Sequence, residues 1–150
     1  MIIADVGHAS QEEINFLRIA DARGANFGWP AFEDNEPFDP TYPGQDPPTF
    51  PMHTYVHSGP CNSVIGGYVV RDPTLTALFG RYLSGDFCTG ELRSFVGRVA
   101  AQEASDDKPI GLIVPQLTSF GEGFNGTLYV AQRHGPVSRL APPAGMAAAR

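Results

Sequence analysis

The chain has 150 residues, enough for one ordinary domain and hardly for two. Its 17 glycines and 14 prolines exclude a helix bundle or coiled coil, because both residue types break helix interiors, while 42 % hydrophobic and 11 % aromatic residues exclude disorder. Ten basic against sixteen acidic residues leave a net charge of −6 and a single lysine, Lys108, so no cationic stripe faces a nucleic acid, and no apolar run approaches the roughly 18 residues of a membrane span.

Taken in chain order, the opening Met1-Ile2-Ile3-Ala4-Asp5 lacks the basic region and long apolar core of a signal peptide. Turn residues Gly7-His8-Ala9-Ser10 follow. From Gln11 to Ala20 the apolar positions fit both alternation and a helical face, and the turn signals that bound the segment closely favour a strand. Residues 31–60 hold seven prolines, with Pro30 just before them, which rules out a central strand or a helix. This predicts a long Pro-rich loop, packed down by Tyr42, Phe50 and Tyr55.

Strands are predicted from Val64 to Val70, Arg81 to Ser84 and Glu91 to Val96, punctuated by Asp72-Pro73 and Gly85-Asp86. Leu75 to Phe79 suits a single helical turn. Residues 101–109 read as a polar turn marked by Asp106-Asp107-Lys108-Pro109. Short strands from Ile110 to Val114, Leu117 to Phe120 and Leu128 to Ala131 come next, with Asn125-Gly126 as a hairpin signal, a last strand from Val137 to Leu140, and a frayed tail over 141–150. Short strands at close spacing with glycine turns indicate a sandwich, a barrel or a propeller; no strict repeat decides among them.

Several segments occur together in one order: Ala4-Asp5-Val6-Gly7 with Glu12-Glu13-Ile14-Asn15, then Gly24-Ala25-Asn26-Phe27-Gly28-Trp29-Pro30 and Cys61. Next come Gly66-Gly67-Tyr68-Val69-Val70-Arg71 and Gly85-Asp86-Phe87-Cys88-Thr89-Gly90. Ser119-Phe120-Gly121-Glu122, Leu128-Tyr129-Val130 and Val137-Ser138-Arg139-Leu140 close the series. From about residue 4 to 140 the set resembles the C-terminal part of the glucose/sorbosone dehydrogenase family, the soluble quinoprotein sugar dehydrogenases and hedgehog-interacting-type propellers. The resemblance implies an all-β chain that forms part of a six-bladed β-propeller, about its last two blades, over residues 1–140, with 141–150 as a flexible tail. It also implies pyrroloquinoline quinone (PQQ), calcium, a sugar substrate, export from the cytoplasm, and a fragment that works with the remaining blades of a longer chain.

Residue by residue, the resemblance places calcium at Gly7 and His8 through their carbonyls, at Glu12, and at the carbonyl of Phe27; calcium takes six to eight such oxygens. The bland alternative is a solvated acidic turn. Arg71 ends the Gly-Gly-Tyr-Val-Val run where quinone-binding members carry a cation, and an arginine suits a tricarboxylated quinone through bidentate pairing; otherwise it pairs locally beside Asp72. Arg93 lies near further family arginines at a different spacing. In an exported protein Cys61 and Cys88 permit one disulfide; in a reducing compartment they are two buried thiols. The family's catalytic histidine lies in an early blade, so no histidine here is catalytic and the chain alone is expected to be inactive. His53 and His57, four apart on extended backbone, make a poor zinc pair. Trp29, Phe87, Phe95 and Phe120 read as core. Two functions follow: a piece of a PQQ-dependent sugar dehydrogenase, or a non-catalytic propeller module that kept the scaffold and lost the quinone chemistry.

Overall fold

The computed structural model describes residues 1–42 and 47–142. The chain is all-β, with small antiparallel sheets and, among the described residues, no α-helix; one 3-10 turn covers Ile19–Asp21. Such small sheets are what a partial propeller is built from, as the resemblance implies. Two compact units form, Met1–Val64 with Gly97–Ala104, and Ile65–Val96 with the chain from Ser105 onward.

In the first unit, β1 (Ile2–Asp5), β2 (Gln11–Phe16) and β5 (His53–Val56) form one sheet with β2 in the middle. Asp5 stands opposite Glu13, and Glu12 opposite Tyr55. The ambiguous segment from Gln11 is therefore a strand for its first six residues, because both of its edges find ladder partners. Ile14, Leu17, Met52 and Val64 are the buried apolar side chains here. β5 lies inside the Pro-rich window as an outer strand of its sheet, the position that tolerates Pro51 beside it. A two-residue ladder, β3 (Phe32–Glu33) with β4 (Glu36–Pro37), turns through Asp34 at φ 58°, a conformation that Asp tolerates better than most residues. The window is thus not all loop, and its residues 43–46 lie outside the described ones.

β6 (Val64–Val69), β7 (Tyr82–Asp86), β8 (Glu91–Arg98) and β9 (Glu103–Ile113) form a four-stranded sheet in chain order. β10 (Leu117–Glu122), β11 (Leu128–Gln132) and β12 (Val137–Arg139) form an antiparallel three-stranded one. Val70, Leu75, Leu83, Leu92, Leu117, Leu128, Val130 and Leu140 make the core of the second unit. Gly67 is required there: a Cβ would stand 2.1 Å from the Leu83 carbonyl oxygen.

The polar turn expected at 101–109 is instead most of β9. Two of its carboxylates, Asp106 and Asp107, meet arginines from the neighbouring part of the sheet. Arg81 donates to Ser94 Oγ at 2.9 Å, to Asp106 Oδ2 at 2.7 Å, and to the Asp106 carbonyl. Arg93 donates to Asp107 Oδ2 at 2.7 Å. Asp106 adopts φ 53°, and Pro109 is tolerated because β9 is the outer strand. Leu75 to Phe79 forms successive turns and no helix. Of the expected tail, 143–150 lie outside the described residues.

Candidate ligand site

The loop between β1 and β2 is fastened from beneath by a single carboxylate. Glu33 Oε1 accepts the main-chain N–H of His8 at 3.0 Å, Ala9 at 2.7 Å, Ser10 at 2.8 Å and Gln11 at 3.3 Å. Consecutive N–H groups converging on one oxygen form an anion nest. Burial alone would raise the Glu33 carboxyl, but these four donors outweigh it and hold it down at about 2. The β3–β4 turn is tied to β2 as well: Asp34 N donates to Glu13 Oε1 at 2.6 Å, and Gln11 Nε2 donates to Asp34 Oδ2 at 2.9 Å. Gly7 opens the loop so tightly that a Cβ would fall 1.4 Å from the Gln11 carbonyl oxygen.

Glu12 and Glu13 are adjacent on a strand and so address opposite faces. Glu12 is fully buried: Oε2 accepts Val64 N at 2.9 Å and Gly7 N at 3.3 Å, and Oε1 meets His57 Nε2 at 2.9 Å. Glu13 instead lines a cavity of about 270 Å³ together with Asp5 and Glu33. The rings of Phe27, Trp29, Phe32 and His8 supply other walls, with Gly7 at the base of the loop. Trp29 is 52 % exposed and packs against His8 and Phe38 at ring separations of 5.0 Å each. Burial pushes the Asp5 carboxyl up. It pushes Glu13 up too, against the hydrogen bond from Asp34, and the charges of Asp5, Asp34 and Glu33 add to the rise. The lining holds three carboxylates and neither lysine nor arginine.

Of the four residues expected at calcium, Gly7, His8 and Phe27 meet at this cavity, whereas Glu12 spends both oxygens elsewhere. Among the described residues no three His, Cys, Asp or Glu side chains come together as a metal site. Arg71 is exposed in the second unit and is not among the cavity residues. Arg93 is engaged by Asp107 and by Glu91, whose Oε2 lies 2.8 Å from Nη1; the Asp107 bond leads in raising its pKa further. Cys61 and Cys88, the chain's two cysteines, are disulfide-bonded. Phe95 is core, as expected, but Trp29 is not: it stands half-exposed at the cavity because the Trp29–Pro30 segment runs over the loop side of the unit rather than within a sheet. Glu33 and Phe32 were not singled out by their sequence context, whereas Asp5 belongs to the first of the ordered motifs. The acid at position 33 sits in a Phe-Glu-Asp-Asn stretch that reads simply as a turn.

The small antiparallel sheets are consistent with part of a propeller. No family model matches the chain. It is 29 % identical to the HIPL1 protein of Arabidopsis thaliana over 93 % of its own length, and 33 % identical to the HIPL2 protein of the same plant over 57 %. These relatives fit the hedgehog-interacting-type propeller family that the motifs resemble. The aligned regions cover 24 % and 13 % of those two proteins, so the chain spans about a quarter of the length of HIPL1. No helix among the described residues is long and apolar enough to cross a membrane.

Proposed function

We propose that this chain is part of a propeller-type protein similar to the HIPL proteins, and that its first unit contributes a binding site for a small molecule without net negative charge. The observation that carries this reading is the cavity itself. Aromatic residues and carboxylates line a concave space of about 270 Å³, just below the roughly 300–1,000 Å³ range of ligand sites. Three carboxylates with no lysine or arginine beside them set a field that opposes an anionic ligand in this cavity. With Arg71 outside this cavity, the chain is read first as a binding module. The disulfide supports placement of the protein in an oxidising compartment outside the cytoplasm.

The dehydrogenase reading keeps one specific support, the meeting of Gly7, His8 and Phe27 at one cavity. A calcium ion there would draw on the main chain of those three residues and on Asp5 or Glu13, with Glu12 committed elsewhere. It would supply positive charge to the carboxylate walls. Trp29, the sole tryptophan of the chain, reports on the site by its fluorescence. Titration with neutral sugars, polyols, amines and calcium should give a saturable change with at least one class, weakened by Glu13→Gln. No change with any class overturns the binding site. Dye-linked aldose oxidation by the longer gene product, dependent on added PQQ and calcium, replaces the module by the enzyme.

A further inference from the structure

Resting on that reading of the cavity, we propose that its ligand is a compact organic cation bearing a weakly hydrated, alkylated ammonium group. The walls combine the two features that such a group needs. Phe27, Trp29 and Phe32 present aromatic rings, whose negative faces attract a cation, and Asp5, Glu13 and Glu33 present negative charge.

The distribution of that charge suits an organic cation better than a metal ion held by side chains alone. A metal needs its oxygens gathered around one point at a little over 2 Å. Here the three carboxylates line one cavity, yet no three acidic, histidine or cysteine side chains of the described residues come together as a metal site. Charge spread over the walls suits a cation whose own charge is spread over several carbon atoms. The side chains offer few donors to the oxygens of a sugar, which makes glucose the competing probe. Hydroxyl groups both donate and accept. The side chains around this cavity are rich in acceptors, with His8 and Trp29 the two that offer an N–H.

The energetics point the same way. Four main-chain donors hold the Glu33 carboxylate in place, and Asp5 and Glu13 line the same cavity with no cationic side chain beside them. The wall therefore carries negative charge that a bound cation offsets. The volume, about 270 Å³, limits the ligand to a small head group. Trp29, half-exposed and braced by His8 and Phe38, provides a ring at the solvent side.

The test compares choline with 3,3-dimethylbutan-1-ol, its neutral carbon isostere, on the full 150-residue chain, read by Trp29 fluorescence and by calorimetry; glucose and calcium chloride are the controls. Choline should saturate and bind about tenfold tighter than the isostere, equivalent to about 1.4 kcal/mol. Glu13→Gln should weaken choline severalfold and leave the isostere unchanged; the glutamine keeps an acceptor for Asp34 N–H. Asp5→Asn is the second variant, should Glu13→Gln fail to fold. Equal binding of choline and isostere overturns the cation. Binding of glucose or calcium without choline overturns it too, while leaving the cavity as a ligand site. Silence from all four probes removes both the ligand and the site.

Discussion

Replacing Glu33 by glutamine keeps the size and an acceptor oxygen of the side chain and removes its charge. In the native chain the carboxylate holds four consecutive N–H groups, and its pKa falls from 4.5 to about 2. A depressed folded-state pKa contributes stability that is fully present above the unfolded value, near 4.5, and is lost as pH falls through about 2. At about 1.4 kcal/mol per pH unit, and allowing for solvent screening, that contribution is about 2–3 kcal/mol. Glu13 and Asp5 run in the opposite direction, since raised carboxyl pKa values cost stability as pH rises through the carboxylate range. The quantity to measure is therefore the difference between native and variant, in which Asp5 cancels, while Glu13, relieved of the Glu33 charge, offsets a small part of the loss. Urea unfolding, followed by circular dichroism at a series of pH values, should show Glu33→Gln less stable by about 2–3 kcal/mol at neutral pH and nearly equal to native near pH 2. Equal midpoints at neutral pH, or a difference that does not shrink on acidification, would refute the nest as the source of the depressed pKa.

Gly7→Ala should lose the loop altogether, because its Cβ would overlap the Gln11 carbonyl; the expected cost is several kcal/mol, read as a fall in Tm, and an unchanged Tm would contradict the close approach. Leu83→Ala, in the centre of the second unit's core, should cost about 2–5 kcal/mol in urea unfolding; under 1 kcal/mol would mean that the residue is not enclosed. Reduction of the disulfide, whose half-cystines are 88 − 61 = 27 residues apart, should cost about 3–4 kcal/mol on the chain-entropy view, and a urea midpoint indifferent to reductant counts against it. Arg81→Met removes the guanidinium that joins Ser94 to Asp106, so hydrogen exchange along β9 should quicken while β11 keeps its protection.

Most strands were legible because glycine and Asp-Pro turns bracket apolar runs, as they do for β6, β8, β10 and β11. β9 was not, since Asp-Asp-Lys-Pro is a turn by every local rule and becomes a strand through arginines 25 and 14 residues earlier in the chain, Arg81 and Arg93. At the cavity, the ordered motifs singled out Gly7, His8 and Phe27. They could not set the parity of β2, because Glu12, Glu13 and Ile14 are all buried and both faces of the strand are covered. Which of two adjacent glutamates turns to the cavity is decided by partners far off in sequence, His57 and Val64 for Glu12 and Asp34 for Glu13. Glu33 was invisible for the same reason: its donors are main-chain groups, which carry no residue code.

That anonymity has a use. Glu33 grips the segment from His8 to Gln11 by the backbone alone, and His8, Ala9 and Ser10 are exposed. Scaffold and specificity are therefore separable. Mutation can rewrite the chemistry displayed at 8–10 while the clamp beneath keeps the same shape, so this stretch is where divergent copies of the protein would acquire new ligands at least cost to folding, and where a randomised library would keep the largest share of folded members.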